Sequence, residues 1–192
     1  MRSRVRCETS RARRRRNARA RLVSQRTRDR NELLEAMRSE RYFRLLDRLA
    51  GAAEVPAGEL PQPLPEIAGQ AFARLRKVVK ALPRRPADDE LHAVRIETKR
   101  ARYAAELAAP DLGKQGARFL ERAKELQDVI GEHQDAVVAE DRLRELALRG
   151  GGKTGLAAGR LVERQRQRKR EARRAYPAAW RRLQKAGRKA FS

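Results

Sequence analysis

Four cationic or titratable side chains recur along one side of a single stretch of this sequence: His92, Arg95, Lys99 and Arg102, with Glu106 one turn further on. At about 100° per residue of α-helix, all five fall within roughly a quarter of the circumference. Cations aligned in this way suit a polyanion. With a rise of ~1.5 Å per residue the row runs about 20 Å, longer than a single phosphate group requires, so an extended ligand fits better than a compact one. Arg100 lies on a neighbouring face, within reach of either ligand or solvent. Glu106 is spaced to orient the Arg102 guanidinium through an i, i+4 contact. His92 donates a hydrogen bond when neutral and carries charge when protonated. The residues alone leave open whether it touches an anion or serves the helix start. Beside the row, Ile96, Tyr103 and Leu107 form an apolar edge expected to anchor the helix in a bundle, with Tyr103 as a core residue whose hydroxyl finds a polar partner.

A second stretch, residues 124–138, reads Lys-Glu-Leu-Gln-Asp-Val-Ile-Gly-Glu-His-Gln-Asp-Ala-Val-Val. Here Lys124, Gln127, Gly131, Asp135 and Val138 share a face, and Gly131 permits close approach of another helix. Asp128 and Asp135 are acids in a basic chain, expected to hold cationic side chains in place. A catalytic acid pair is the weaker reading. His133 and Asp135 are too few for a metal site, since the chain has two histidines, one cysteine and no HExxH or HxxH spacing. Gly150-Gly-Gly-Lys-Thr is too short for a phosphate-binding P-loop and follows a helix where that loop follows a strand. Further cations stand at helical spacing elsewhere: Arg74 and Lys77 upstream, Arg160, Arg164 and Arg168 downstream.

The elements that must hold these residues read as helices throughout. Leucines and Met37 recur at helical spacing from about Arg19 to Leu49, with Ser39 and Glu40 as a point of restart. Residues 51–65 carry four prolines and two glycines and read as a loop. A second helix is expected over 66–82. The motif helix has Asp88 or Asp89 as its N-cap and ends near Pro110 and Gly113. A fourth spans 114–148 up to the Gly150–Gly152 run, and a last, very basic one fills 155–186 with Pro177 inside it. The expected fold is all-α, an antiparallel helical bundle of about five helices, with an Arg-rich tail over 1–19, one helical domain over 20–186 and a short tail over 187–192.

Composition narrows the partner. Lys plus Arg number 48 against 25 Asp plus Glu in 192 residues, a formal net charge of +23. Such a charge favours a partner rich in phosphates. Arginine dominates, and its planar fork holds phosphate oxygens in pairs. Biased genome composition accounts for part of that excess, but not for cations gathered on one face. Four Phe, three Tyr and one Trp are few for base-stacking platforms, which lowers a single-strand nucleic-acid reading. Cys7 has no partner for an internal disulfide, and no apolar run approaches the ~20 residues of a membrane helix, so a cytoplasmic setting is expected. The first thirty residues hold thirteen arginines and no apolar signal core. A basic tail, a transit-like segment and an ill-chosen start all look like this.

The spelling LHxxRIxxKRxRYxxEL at 91–107, followed by KxLQDxxGxxxDxxV at 124–138, resembles the CHAD family, the conserved-histidine α-helical domains. The resemblance covers roughly residues 20–185. It implies two four-helix units, each opening with its own histidine motif, whereas this chain carries only the second motif and what looks like the last helix of the first unit. A partial, truncated fold is expected, with self-association as one way to cover its exposed apolar faces. The resemblance also implies inorganic polyphosphate as ligand, bound without catalysis or cofactor; the residues expected to hold it are His92, Arg95, Lys99, Arg100, Arg102 and Lys124, joined on their helical spacing by Arg74, Lys77, Arg164 and Arg168. Tyr103, Glu106, Asp128 and Asp135 would support that site, and polyphosphate granules would be its place in the cell. Two rivals stand beside this reading. One is a nucleic-acid-binding basic helical protein, and the other an enzyme on phosphorylated substrates with His92 or Asp135 as acid or base.

Overall fold

The computed structural model describes residues 20, 23–54 and 62–192, leaving undescribed the side chains of 53, 54 and 149–154. Every element among the described residues is helical. The Arg-rich segment 1–19 and the centre of the proline-rich connection lie outside them. The chain divides into two compact units, Met1–Glu59 and Leu60–Ser192, where the sequence suggested one domain over 20–186.

The first unit contains α1, residues 23–37, and α2, Glu40–Glu54. Ser39 separates them by capping: its Oγ donates to the Ala36 carbonyl at 2.6 Å and accepts from the Tyr42 amide at 3.3 Å. The restart expected at Ser39 and Glu40 is therefore a break between two helices. Residues 51–54, read as loop, instead finish α2.

The second unit holds α3 (Leu64–Lys80), α4 (Asp88–Leu107) and α5 (Ala109–Ala190). Pro65 sits in the first turn of α3, where its missing N–H leaves no bond unmade. The start of α4 corrects the sequence reading: Ala87 is the N-cap, and Asp88 and Asp89 lie inside the first turn. Glu90 supplies the cap from within the helix, its Oε2 accepting the Ala87 amide at 2.6 Å. At the other end α4 stops at Leu107, before Pro110, because Pro110 opens the next helix. Gly113 marks a local departure there, with φ at 52°, a backbone region that an L side chain resists.

The assigned helix α5 runs through the Gly150–Gly152 stretch that was expected to separate two helices. It nevertheless folds back on itself. Glu140 and Arg166 would stand about 39 Å apart on a straight helix, yet their side chains meet at 3.0 Å. Glu132 pairs with Arg168 and Glu125 with Arg182, so two antiparallel legs flank a reversal near the glycines.

The core lies among α3, α4 and both legs of α5. Phe72, Leu75, Val94, Phe119, Leu126, Ile130 and Leu183 are buried in it, each large aliphatic or aromatic side chain contributing about 1.5–3 kcal/mol through removal from water. Phe191 packs against the Phe72 and Phe119 rings, with centroids 5.7 and 4.9 Å away, so residues 187–192 close the core where a tail was expected. Gly187 is required in this corner because a Cβ would overlap the Phe72 ring, itself wedged among Phe119, Trp180 and Phe191. Gly187→Ala is expected to lower stability by about 1–3 kcal/mol, as overpacking of a rigid core does. Chemical denaturation checks this, and an unchanged midpoint with an unchanged slope would contradict the packing described.

Candidate anion groove

Helix α4 turns Leu91, Val94, Thr98, Ala101 and Ala105 inward. Thr98 is tolerated there because its Oγ1 donates to the Val94 carbonyl at 2.8 Å, leaving no hydroxyl unpaired. That inward face fixes the rest by periodicity. The cationic row lies about 100° round the helix from the buried face, at the margin of the contact with α5. Arg95, Lys99 and Arg102 are accordingly half-buried, whereas His92, Arg100 and Glu106 are exposed.

Ile96, Tyr103 and Leu107 fall on the face directly opposite the core. They are 38%, 46% and 68% exposed, so the expected apolar anchor and the core role of Tyr103 are corrected. The actual anchor is a row of small residues with Leu91 and Val94, which the apolar edge hid because its members are larger. Tyr103 serves the cations instead: the Arg102 guanidinium lies 5.0 Å and the Lys99 ammonium 5.8 Å from its ring centroid.

Between α4 and the first leg of α5 runs a groove of about 530 Å³, lined by Arg95, Arg102, Gln127, Asp128, Gly131 and Asp135, with Val129 and Glu132. The sequence motifs at 91–107 and 124–138 thus meet in one place. Arg95 and Lys99 form no ion pair among the described residues. Arg102 Nε lies 3.4 Å from Glu106 Oε1, an ion-pair distance without hydrogen-bond alignment. Arg100 is drawn away to Glu97 on the far side. Asp128 and Asp135 share the groove but form no ion pair among the described residues, so their carboxylates do not hold the guanidinium groups directly. Gln127 and Glu132 are lining residues that the sequence reading did not place in the site. Glu132 holds Arg168, which ties that cation to the rim.

Of the α4 row only Arg95 and Arg102 line the groove; His92, Lys99 and the other cations singled out in the sequence do not. Arg74 and Lys77 are exposed on α3, and Arg164 is exposed on the second leg of α5. Lys124 is exposed one turn before Gln127. Each falls on an outward helix face, which spacing along its own helix does not reveal.

Behind the start of α4 lies a polar cluster that spacing along the sequence could not show. Asp88 meets Lys169 at 2.8 Å and Arg173, across more than eighty residues of sequence. His133 is buried, 1% exposed, with Nε2 3.2 Å from Asp88 Oδ1 but not aligned for a hydrogen bond. Burial pushes His133 below its ordinary pKa, and Arg173 and Lys169 add to this against the opposing pull of Asp88. Burial alone would raise the Asp88 carboxyl, yet its bonds to Lys169 and Arg173 outweigh that and hold it below the usual range. Glu140 behaves alike: burial raises it, while Arg166, Lys169 and Arg144 bring it below its ordinary value. The cluster pins the start of the motif helix to both legs of α5, and so sets where Arg95 sits.

Among the described residues no helix is long and apolar enough to cross a membrane. Two uncharacterized proteins, from two strains of Mycobacterium tuberculosis, are each 33% identical to this chain over 170 residues, covering 82% of it. The chain spans about a third of the length of these curated relatives, 32% of each. No solved structure matches it. The model of the CHAD domain matches residues 3–144, which contain both motifs and both walls of the groove. With that match over most of its length, and with two motif helices meeting as described, the chain belongs to the CHAD domain family.

Proposed function

We propose that this chain is a non-catalytic module that binds inorganic polyphosphate along α4. The observation that carries the reading is the Arg95, Lys99 and Arg102 row, half-buried at the groove margin and free of strong acidic partners among the described residues. Cations held in place but left unneutralised gain most from an arriving anion. Each phosphate exchanges water for charge-assisted hydrogen bonds, and successive phosphates release condensed counterions. Tyr103 restrains two of the three cations from the solvent side, which lowers the entropy lost on binding. The groove's own carboxylates, Asp128 and Asp135, repel an anion from the α5 wall. They confine the chain to the α4 wall, in a single lane.

Width separates this ligand from its nearest rival. Packed helix axes stand about 8–10 Å apart, and B-form DNA presents its phosphates on a far thicker cylinder. Long-chain polyphosphate is therefore expected to displace a bound fluorescent polyphosphate at much lower concentration than a DNA duplex of equal total charge, at fixed ionic strength. Equal displacement by the two polymers would mean that the charged surface as a whole, and not the α4 lane, does the binding.

A further inference from the structure

A separate recess opens where the α3–α4 connection meets the second leg of α5. We propose that it binds a small amphiphilic anion: a compact apolar body carrying one sulfonate, phosphate or carboxylate head. The recess has a volume of about 450 Å³, within the range of small-ligand sites. Its apolar wall is made by Val79, Leu82, Pro83, Leu91 and Pro177. Pro83 and Pro177 fix their backbone φ, so the wall is formed before any ligand arrives.

Four polar side chains line the same recess, and their bonding states differ. Arg173 is committed to the Pro86 carbonyl and to Asp88. Arg84 and Arg85 line the same recess, are exposed, and form no hydrogen bond or ion pair among the described residues. The Tyr176 hydroxyl is buried without a hydrogen-bond partner, a state that a folded protein rarely keeps without compensation. Desolvation pushes Tyr176 up to about 12, so the hydroxyl stays a neutral donor at physiological pH. An apolar body against the prolines and leucines, an acceptor atom for Tyr176 and a negative head at the two free guanidinium groups together satisfy every unpaired feature. Polyphosphate does not, because it has no apolar body. None of these residues lines the α4 groove.

The test uses 8-anilinonaphthalene-1-sulfonate, whose fused ring and sulfonate match the stated class, titrated by fluorescence and calorimetry into the full chain. One saturable site is expected. Arg84→Gln with Arg85→Gln should weaken it about tenfold or more, and Tyr176→Phe about three- to tenfold. Tyr176→Phe should not lower the unfolding temperature, since its buried hydroxyl has no bond to lose and its removal relieves a desolvation cost. Leu82→Trp, which fills the recess, should abolish the site. As a charge-matched control, Arg181→Gln with Arg188→Gln should change the affinity less than twofold. Saturating polyphosphate should leave the dye bound. Absence of a saturable site, equal weakening by the control pair, or displacement of the dye by polyphosphate would each overturn the proposal. The first two results leave the α4 reading untouched.

Discussion

Replacing Arg95, Lys99 and Arg102 together by glutamine should reduce polyphosphate affinity by about a thousandfold or more, with helical circular dichroism and unfolding midpoint nearly unchanged. Charge-assisted contacts contribute about 1.5–3 kcal/mol each, so three of them reach that size even with incomplete additivity. The fold should survive because glutamine is a good helix former. Arg95 and Lys99 have no ion pair to lose among the described residues, and the Arg102 to Glu106 contact is an i, i+4 pair at 3.4 Å, worth only a few tenths of a kcal/mol. Arg11, Arg13 and Arg14 make the control, since changing them removes the same formal charge from a segment outside the motif. If the control triple weakens binding as much as the α4 triple, the affinity comes from diffuse electrostatics and the lane is wrong. The slope of log affinity against log salt gives an independent reading, because it should fall with the number of phosphates neutralised.

The all-helical class was legible in the sequence because it follows from periodicity, whereas the meeting of the two motif segments in one groove appears only in the fold. Apolar residues at helical spacing specify helices, whereas Gly131, expected to let another helix approach closely, has nothing within 4 Å of where a Cβ would stand and instead lines the open groove. Periodicity also located the cationic row. It failed where two faces carried similar information: Ile96, Tyr103 and Leu107 looked like the buried edge because they are large, whereas the helix buries Leu91, Val94, Thr98, Ala101 and Ala105. Alanine allows the close approach of α3 and α5 that a larger residue would prevent, and a ranking by side-chain size cannot register that. Helix ends were misplaced for a local reason. Glu90 caps α4 from inside, so Asp88 is free to turn toward Lys169 and Arg173. That long-range cluster was beyond reading, since Asp88, His133 and Lys169 are dispersed among ordinary charged residues and only the fold-back of α5 brings them together.

Asp88→Ala should then lower stability at pH 7 by about 2–3 kcal/mol, a figure reduced from that of a fully buried pair because Asp88, Lys169 and Arg173 each retain some contact with water. The substitution leaves Lys169 and Arg173 facing a buried imidazole with no shared anion between them. It also removes an acid from the first turn of α4, where the helix dipole favours one. Two acid windows should appear in the wild-type chain. His133 titrates below its ordinary value in the folded state, so the unfolded chain takes up a proton first, and stability declines as pH falls from about 6.5. Asp88 and Glu140 are depressed, so their contributions are present above about 4 and are lost as pH falls further, through their folded values. In Asp88→Ala the second window should shrink. The first should extend to lower pH, because the carboxylate that favoured the imidazolium is gone, with a slope of at most about 1.4 kcal/mol per pH unit for one proton. Denaturation midpoints measured from pH 8 to pH 3 decide the matter. Equal stability of the two chains at pH 7 would show that the cluster is an ordinary solvated ion pair. A loss of polyphosphate affinity as large as that of the α4 triple would place Asp88 in direct service of the ligand lane, contrary to its position behind the helix start.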